Sequence, residues 1–148
     1  MNKTDWSYFA GLFDGEGSVT VSQVTRRTDT KSCKAGQTLT NMSLRIANNN
    51  PVPLLELEEK FGGSVRFHSP TRKSYVWLIT GHKSVEFAKR ILPYSRIKRG
   101  QLEIYIAFAA LKRRKAMGSF PLTKDELAER RKMFVKLKAT RAAEGGKD

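Results

Sequence analysis

A chain of 148 residues, 39% of them hydrophobic, has the length of one ordinary domain and can bury a sizeable core without crosslinks. Its 28 lysines and arginines stand against 14 acidic residues, and a formal charge of +14 on a folded domain serves a polyanion, nucleic acid before a membrane surface. The longest apolar stretch, near 104–111, is far too short to span a bilayer and no lipidation motif accompanies it, so a membrane partner is set aside.

No charged, apolar, small-residue leader opens the sequence, and the single cysteine, Cys33, has no partner for an intrachain disulfide, so an intracellular protein is expected. Cys33 lies in a polar stretch and reads as a bystander thiol.

In chain order, Asp5 is a good N-cap and Gly15 and Gly17 are good terminators, which predicts a first helix over 5–14. One side of that helix is bulky (Trp6, Phe9 and Phe13, joined by Tyr8 and Leu12) and the other small: Ser7, Ala10, Gly11 and Asp14. A small face permits close backbone contact, either with a second copy or within the same chain. The period then changes to two over about 17–26, with Val19, Val21 and Gln23 alternating with Thr20, Ser22 and Val24. After a polar loop over 26–36, a second strand at 37–48 turns Met42, Leu44 and Ile46 inward and Asn41, Ser43 and Arg45 outward, so its exposed face is polar and partly cationic.

Asn50 and Pro51 start a second helix carrying Leu54, Leu55, Leu57 and Phe61, which stops at Gly62 and Gly63. Strands at 63–69 and 75–80 flank a turn holding Pro70, Arg72 and Lys73. In the fourth strand Val76 and Leu78 are as apolar as Tyr75, Trp77 and Ile79, so periodicity leaves its facing open. A third helix over 84–92 ends before Pro93. Basic C-terminal helices fill 97–144: one carries Leu102 and Ile106 into the cluster Lys112 to Lys115, and the last opens at Thr123, Asp125 and Glu126. No internal repeat and no linker long enough to separate two domains is found, so 1–148 reads as a single α+β domain.

The segment Phe9-Ala10-Gly11-Leu12-Phe13-Asp14-Gly15-Glu16-Gly17 breaks a local rule. A helix C-terminus carries partial negative charge and favours cations, yet this one ends in two carboxylates two residues apart. Conflicts of this kind tend to mark functional sites. A hard divalent cation resolves it, because carboxylate oxygens and an uncovered backbone carbonyl converge there and the glycines let the backbone approach. The plainer reading, two polar turn residues after a helix, stays open. His68 and His82 have no matched acids and make no zinc site.

All nine residues can be matched to the motif of the LAGLIDADG homing endonucleases, which the chain resembles in their single-motif, homodimeric branch. Phe9 stands for the first leucine, Phe13 for the isoleucine, Gly15 for the alanine and Glu16 for the second aspartate. The element order and basic composition extend the resemblance over most of the chain. It implies an αββαββα fold in which a curved antiparallel sheet, a DNA-binding saddle, is backed by helices, with additional helices at the C-terminus. It also implies a homodimer joined through the motif helices, with Ser7, Ala10, Gly11 and Asp14 at the interface.

By the same resemblance the function is a site-specific double-strand break in a long pseudo-palindromic target, made by metal-dependent hydrolysis by an intron-encoded, DNA-associated enzyme in the cytoplasm or an organelle matrix. Glu16 and the Gly15 carbonyl match the ligands of Mg2+ or Mn2+. Asp14 matches an inner aspartate with a structural role at the helix end. Lys98 matches a catalytic lysine, with a plain phosphate contact as its rival reading. Asn48 matches a polar residue that orders solvent, although Pro51 to Pro53 replace an arginine found nearby in some members. Base contacts are expected from outward positions Thr20, Ser22, Arg26, Asn41, Ser43, Arg45, Arg66 and His68, with Arg45 foremost. Two other functions are compatible with the scaffold, an RNA-binding maturase for the host intron and a catalytically silent DNA-binding regulator. The carboxylate pair argues against the second.

Overall fold

The computed structural model describes residues 1–25, 27, 36, 38–69, 71, 73–113 and 123–144. Arg26 and Cys33, the turn residues Pro70 and Arg72, the side chains of the 112–115 cluster and the last four residues lie outside the described residues.

Helix α1 spans Lys3–Glu16, two residues longer at each end than predicted. Asp5 is not its cap. Asn2 is: its Oδ1 accepts the Asp5 N–H at 2.9 Å, and Asp5 returns a carboxylate oxygen to the Asn2 N–H at 3.0 Å, a reciprocal capping box. At the other end the helix runs through Gly15, and the turn out of it requires Gly17. A Cβ there would stand 2.4 Å from the Phe13 carbonyl oxygen. Trp6, Phe9, Ala10 and Phe13 face the core.

The sheet holds β1 (Gly17–Thr25), β2 (Thr38–Asn48), β3 (Ser64–Ser69) and β4 (Ser74–Thr80) in the order β1-β2-β4-β3, with every neighbouring pair antiparallel. Residues directly opposite one another share a face, so register settles what periodicity left open. Trp77 pairs with Ile46 and Val65, and Ile79 with Leu44, which itself pairs with Val19. Tyr75, Trp77 and Ile79 therefore face inward. Val76, Leu78 and Thr80 face outward, beside Ala47, Arg45 and Ser43 respectively.

The helices cover the inner face. In α2 (Val52–Phe61), Leu54 and Leu57 are buried, whereas Leu55 turns out to solvent and is 49% exposed, against the expectation that it would join them. Helix α3 spans Gly81–Ile91 and begins three residues before Ser84. Ser84 is interior instead: its Oγ donates to the Gly81 carbonyl and shares a 2.7 Å hydrogen bond with the buried Tyr105 hydroxyl. Phe87 of α3 is a hub of the core, its ring within 4.9–6.2 Å of those of Trp6, Phe13, Phe61 and Trp77. Such edge and tilted contacts contribute about 0.5–1.5 kcal/mol each beyond area burial.

Helix α4 spans Arg99–Arg113 and α5 spans Lys124–Ala143, the latter opened by the expected capping box between Thr123 and Glu126. The cationic surface of α5 is interrupted where Arg130 folds inward and donates to Thr40 Oγ1 at 3.3 Å. At its far end Glu144 accepts from the buried Gln101 side chain at 2.7 Å, fastening α5 to the start of α4. Among the described residues no helix is long and apolar enough to cross a membrane.

Candidate active site and nucleic-acid interface

With the helices on one side, the outer sheet face is left open, and register arranges it in rows. Ser22 lies opposite Asn41; Thr20, Ser43 and Thr80 form a second row; Ser18, Arg45, Leu78 and Ser64 a third; Ala47, Val76 and Arg66 a fourth. The expected base-contacting residues Thr20, Ser22, Asn41, Ser43, Arg45 and Arg66 thus share one surface, and His68 is exposed beside a register shift in β3. Arg26 cannot be placed. Ser18, Ser64 and Thr80 belong to the same face and were missed by sequence reasoning. Their signal is cross-strand pairing, which a single strand's pattern does not contain.

At the C-terminal end of α1 the two motif carboxylates separate. The Asp14 carboxylate accepts four hydrogen bonds: from the Ser95 hydroxyl at 2.5 Å and from the N–H groups of Arg96, Ile97 and Lys98 at 2.7, 3.1 and 3.0 Å. Burial works against its ionisation, but the bonds from Ser95 and these backbone groups outweigh it and hold its pKa below the usual aspartate value. Lys98 Nζ completes the junction, donating to the carbonyls of Phe13 and Asp14 at 3.0 and 2.6 Å. The charge conflict at this helix end is therefore largely answered within the chain. A cation from a distant segment covers the carbonyls, and one carboxylate caps that segment.

Glu16 is different. It is exposed, two residues beyond Asp14, and its charge acts on Lys98. Burial lowers the Lys98 pKa, and the negative charges of Asp14, Glu16 and Glu144 oppose that loss. Among the described residues no side chain donates to the Gly15 carbonyl. One carboxylate and one carbonyl oxygen thus stand beside a lysine, where β1 leaves the helix for the open sheet face. They suit a hard cation in kind and not in number, because among the described residues no three His, Cys, Asp or Glu side chains converge. Completing the shell needs oxygens from outside the chain.

Two further sets of expected residues have other surroundings. Asn48 faces the helix side with Ile46, opposite Tyr75, and its Oδ1 accepts the Asn50 N–H at 2.8 Å. Its Oδ1 thus joins a turn into α2, and the outward position next to it is Ala47. The small face of α1 also divides. Ala10 is 0% exposed within the chain, whereas Asp14, its carboxylate engaged as described, stays partly exposed. The exposed stripe is Ser7, Tyr8, Gly11 and Gly15, with Tyr8 52% exposed; a Cβ on Gly11 or Gly15 would meet nothing within 4 Å.

No family model and no curated protein matches the chain. Solved structures do. A structure of the archaeal intron-encoded homing endonuclease I-Vdi141I complexed with DNA superposes with a TM-score of 0.74 at 19% identity, covering 93% of this chain and 84% of that one. The homing endonuclease I-TnaI matches at 23% identity with a TM-score of 0.67, covering 94% and 97% of the two chains. The LAGLIDADG homing endonuclease I-SmaMI, bound to cleaved DNA, matches with a TM-score of 0.72 at 19% identity; 95% of this chain covers 47% of that one. Four antiparallel strands in the order β1-β2-β4-β3, backed by helices on one face and led by α1, give this chain the fold of the LAGLIDADG homing endonucleases.

Proposed function

We propose that the chain is a site-specific DNA endonuclease that acts as a homodimer and makes a double-strand break in a long pseudo-palindromic target. The observation that carries this reading is the division of labour at the end of α1. Asp14 and Lys98 build a rigid junction, while Glu16 is left exposed beside it at the edge of an open, arginine-bearing sheet face. The match to structures that hold DNA supports the same substrate.

In this reading the open face lies in the major groove, and its hydroxyl, amide and guanidinium groups pair with base edges. Glu16 and the Gly15 carbonyl would hold Mg2+ or Mn2+ together with phosphate oxygens, water and the second copy's acidic helix end. Such an ion supplies an activated water and stabilises charge on the attacking and leaving oxygens. Lys98, held by the two carbonyls, places a positive charge next to the scissile phosphate. The dimer is supported by Gly11 and Gly15, which open space surrounds within the chain. Glycine inside a helix costs about 1 kcal/mol relative to alanine, and the pair's spacing permits close approach of a second helix. That the chain covers 47% of I-SmaMI fits two copies doing the work of one longer chain. A DNA-associated intracellular location follows from this substrate.

The test begins with a randomised duplex library, from which wild-type protein in calcium buffer recovers its preferred duplex. Wild type should cut both strands of that duplex in magnesium, and Glu16→Gln should bind it and leave it intact. Binding without cutting by wild type in magnesium and manganese would make the protein a DNA-binding regulator. Persistent cutting by Glu16→Gln would refute the metal-site assignment. For the dimer, sedimentation at micromolar concentration should give two chains for wild type and one for Gly11→Leu; a monomeric wild type, alone and on DNA, overturns it.

A further inference from the structure

The described part of the open sheet face is mostly polar, with Val24 near the end of β1 and a cluster in β4 as its apolar positions. Val76 and Leu78 of β4 lie side by side on it, with Ala47 opposite Val76 and Arg45 opposite Leu78; across β3, Arg66 lies opposite Val76 and Ser64 opposite Leu78. An apolar island is thus framed by two arginines. Val76 is 7% exposed, and Leu78, beside it on the strand, is partly exposed and presents the accessible apolar surface. Leu78 also lines a shallow concavity with Asn41, Ser43 and Thr80. Among the described residues no helix covers this face, so these side chains present apolar surface among donors and acceptors that solvent would otherwise hydrate.

We propose that Leu78, beside Val76 on β4, reads the C5-methyl group of a thymine in the major groove and so fixes one thymine in each half of the DNA target. The inference rests on the endonuclease reading above, and it assigns chemistry to a strand whose facing the sequence left open. Charge complementarity identifies the occupant: a chain of net charge +14 that flanks an apolar spot with Arg45 and Arg66 suits a polyanion that displays isolated methyl groups. Of the four bases only thymine presents a methyl in the major groove, and guanine presents the paired acceptors that arginine takes. Geometry agrees. Residues two apart on a strand are separated by roughly 6.7 Å, close to two base-pair steps of about 3.4 Å, so neighbouring rows of the sheet address positions about two base pairs apart in the target. The thymine should therefore lie within about two base pairs of a guanine contacted by Arg45 or Arg66.

The experiment uses the duplex recovered by wild type, with each thymine replaced in turn by deoxyuridine, which removes the methyl and keeps the pairing. At one symmetry-related thymine per half-site, loss of the methyl should weaken binding about fourfold, the worth of one buried carbon. Against the Leu78→Ala variant the same replacement should make no difference, although that variant binds the thymine duplex more weakly than wild type. A uracil penalty that persists unchanged in Leu78→Ala, or no penalty at any thymine, overturns the assignment to Leu78. In both cases wild-type cutting of the unmodified duplex in magnesium shows that the endonuclease reading stands. Failure of wild type to recover or cut any duplex removes that reading and this inference together. A circular dichroism spectrum of Leu78→Ala like that of wild type separates loss of the contact from loss of the sheet.

Discussion

Asp14 and Glu16 are two residues apart on the same helix, about 200° apart around its axis, and their surroundings have almost nothing in common. Asp14 accepts four hydrogen bonds from residues 95–98 and is sheltered under them. Glu16 stays exposed. A pair of acids at a helix end therefore need not be one ligand set. Here one acid is tied into the fold by a distant segment whose lysine covers the helix-end carbonyls, and the other stays open to solvent.

Exchanging the demands on the two carboxylates gives the sharpest contrast. Glu16→Gln should reduce cleavage by at least about a thousandfold, the scale on which single catalytic electrostatic contacts act. Its unfolding free energy should stay within about 0.5 kcal/mol of wild type, as for surface substitutions generally. Loss of stability comparable to that of an Asp14 variant would erase the distinction. Lys98→Met comes next: removal of the ammonium should slow cleavage about a hundredfold at saturating DNA while changing affinity little. A proportional drop in affinity, with turnover preserved, would mark Lys98 as a simple phosphate contact.

Asp14→Asn inverts the pattern of Glu16→Gln. It keeps the side chain's shape, but its amide NH2 faces N–H groups that need an acceptor, so denaturant titration should show a loss of about 2 kcal/mol. An unchanged midpoint would mean that the junction is not held by this carboxylate. The smallest effect is on pH. Because the folded pKa of Asp14 is lowered, its contribution is fully present above the ordinary aspartate range and is lost as pH falls through the folded value. The stability difference between wild type and Asp14→Asn should hold steady from neutrality to about pH 5 and shrink below about pH 4. A difference that widens on acidification would reverse the sign assigned to Asp14.

Much of this was legible in the residues. The alternation of Met42, Leu44 and Ile46 with Asn41, Ser43 and Arg45 predicted both faces of β2, and the Thr123 and Glu126 pair marked the start of α5, because these signals depend on neighbours a few positions away. What was not legible depended mostly on pairing and packing. The facing of β4 came from its pairing with β2. The burial of Ala10 came from packing around α1, and the bond from the Asn50 N–H to Asn48 Oδ1 came from a turn whose geometry residue type did not reveal. The Lys98 match rested on resemblance, whereas its bonds to the carbonyls of Phe13 and Asp14 required the fold.

The Asp14 junction joins residues 81 to 84 positions apart, and this separation has a consequence during synthesis. A ribosome adding roughly 5–20 residues per second takes roughly 4–16 seconds to travel from one side of the junction to the other. Throughout that interval the nascent chain already displays Glu16 but has neither the lysine beside it nor the backbone groups that fasten the helix end. A translation product that stops before residue 95 contains the acidic motif and all four strands, and still cannot assemble the junction. Under the endonuclease reading, the site that Glu16 and Lys98 form together exists only in a chain made past residue 98, and shorter fragments would lack it.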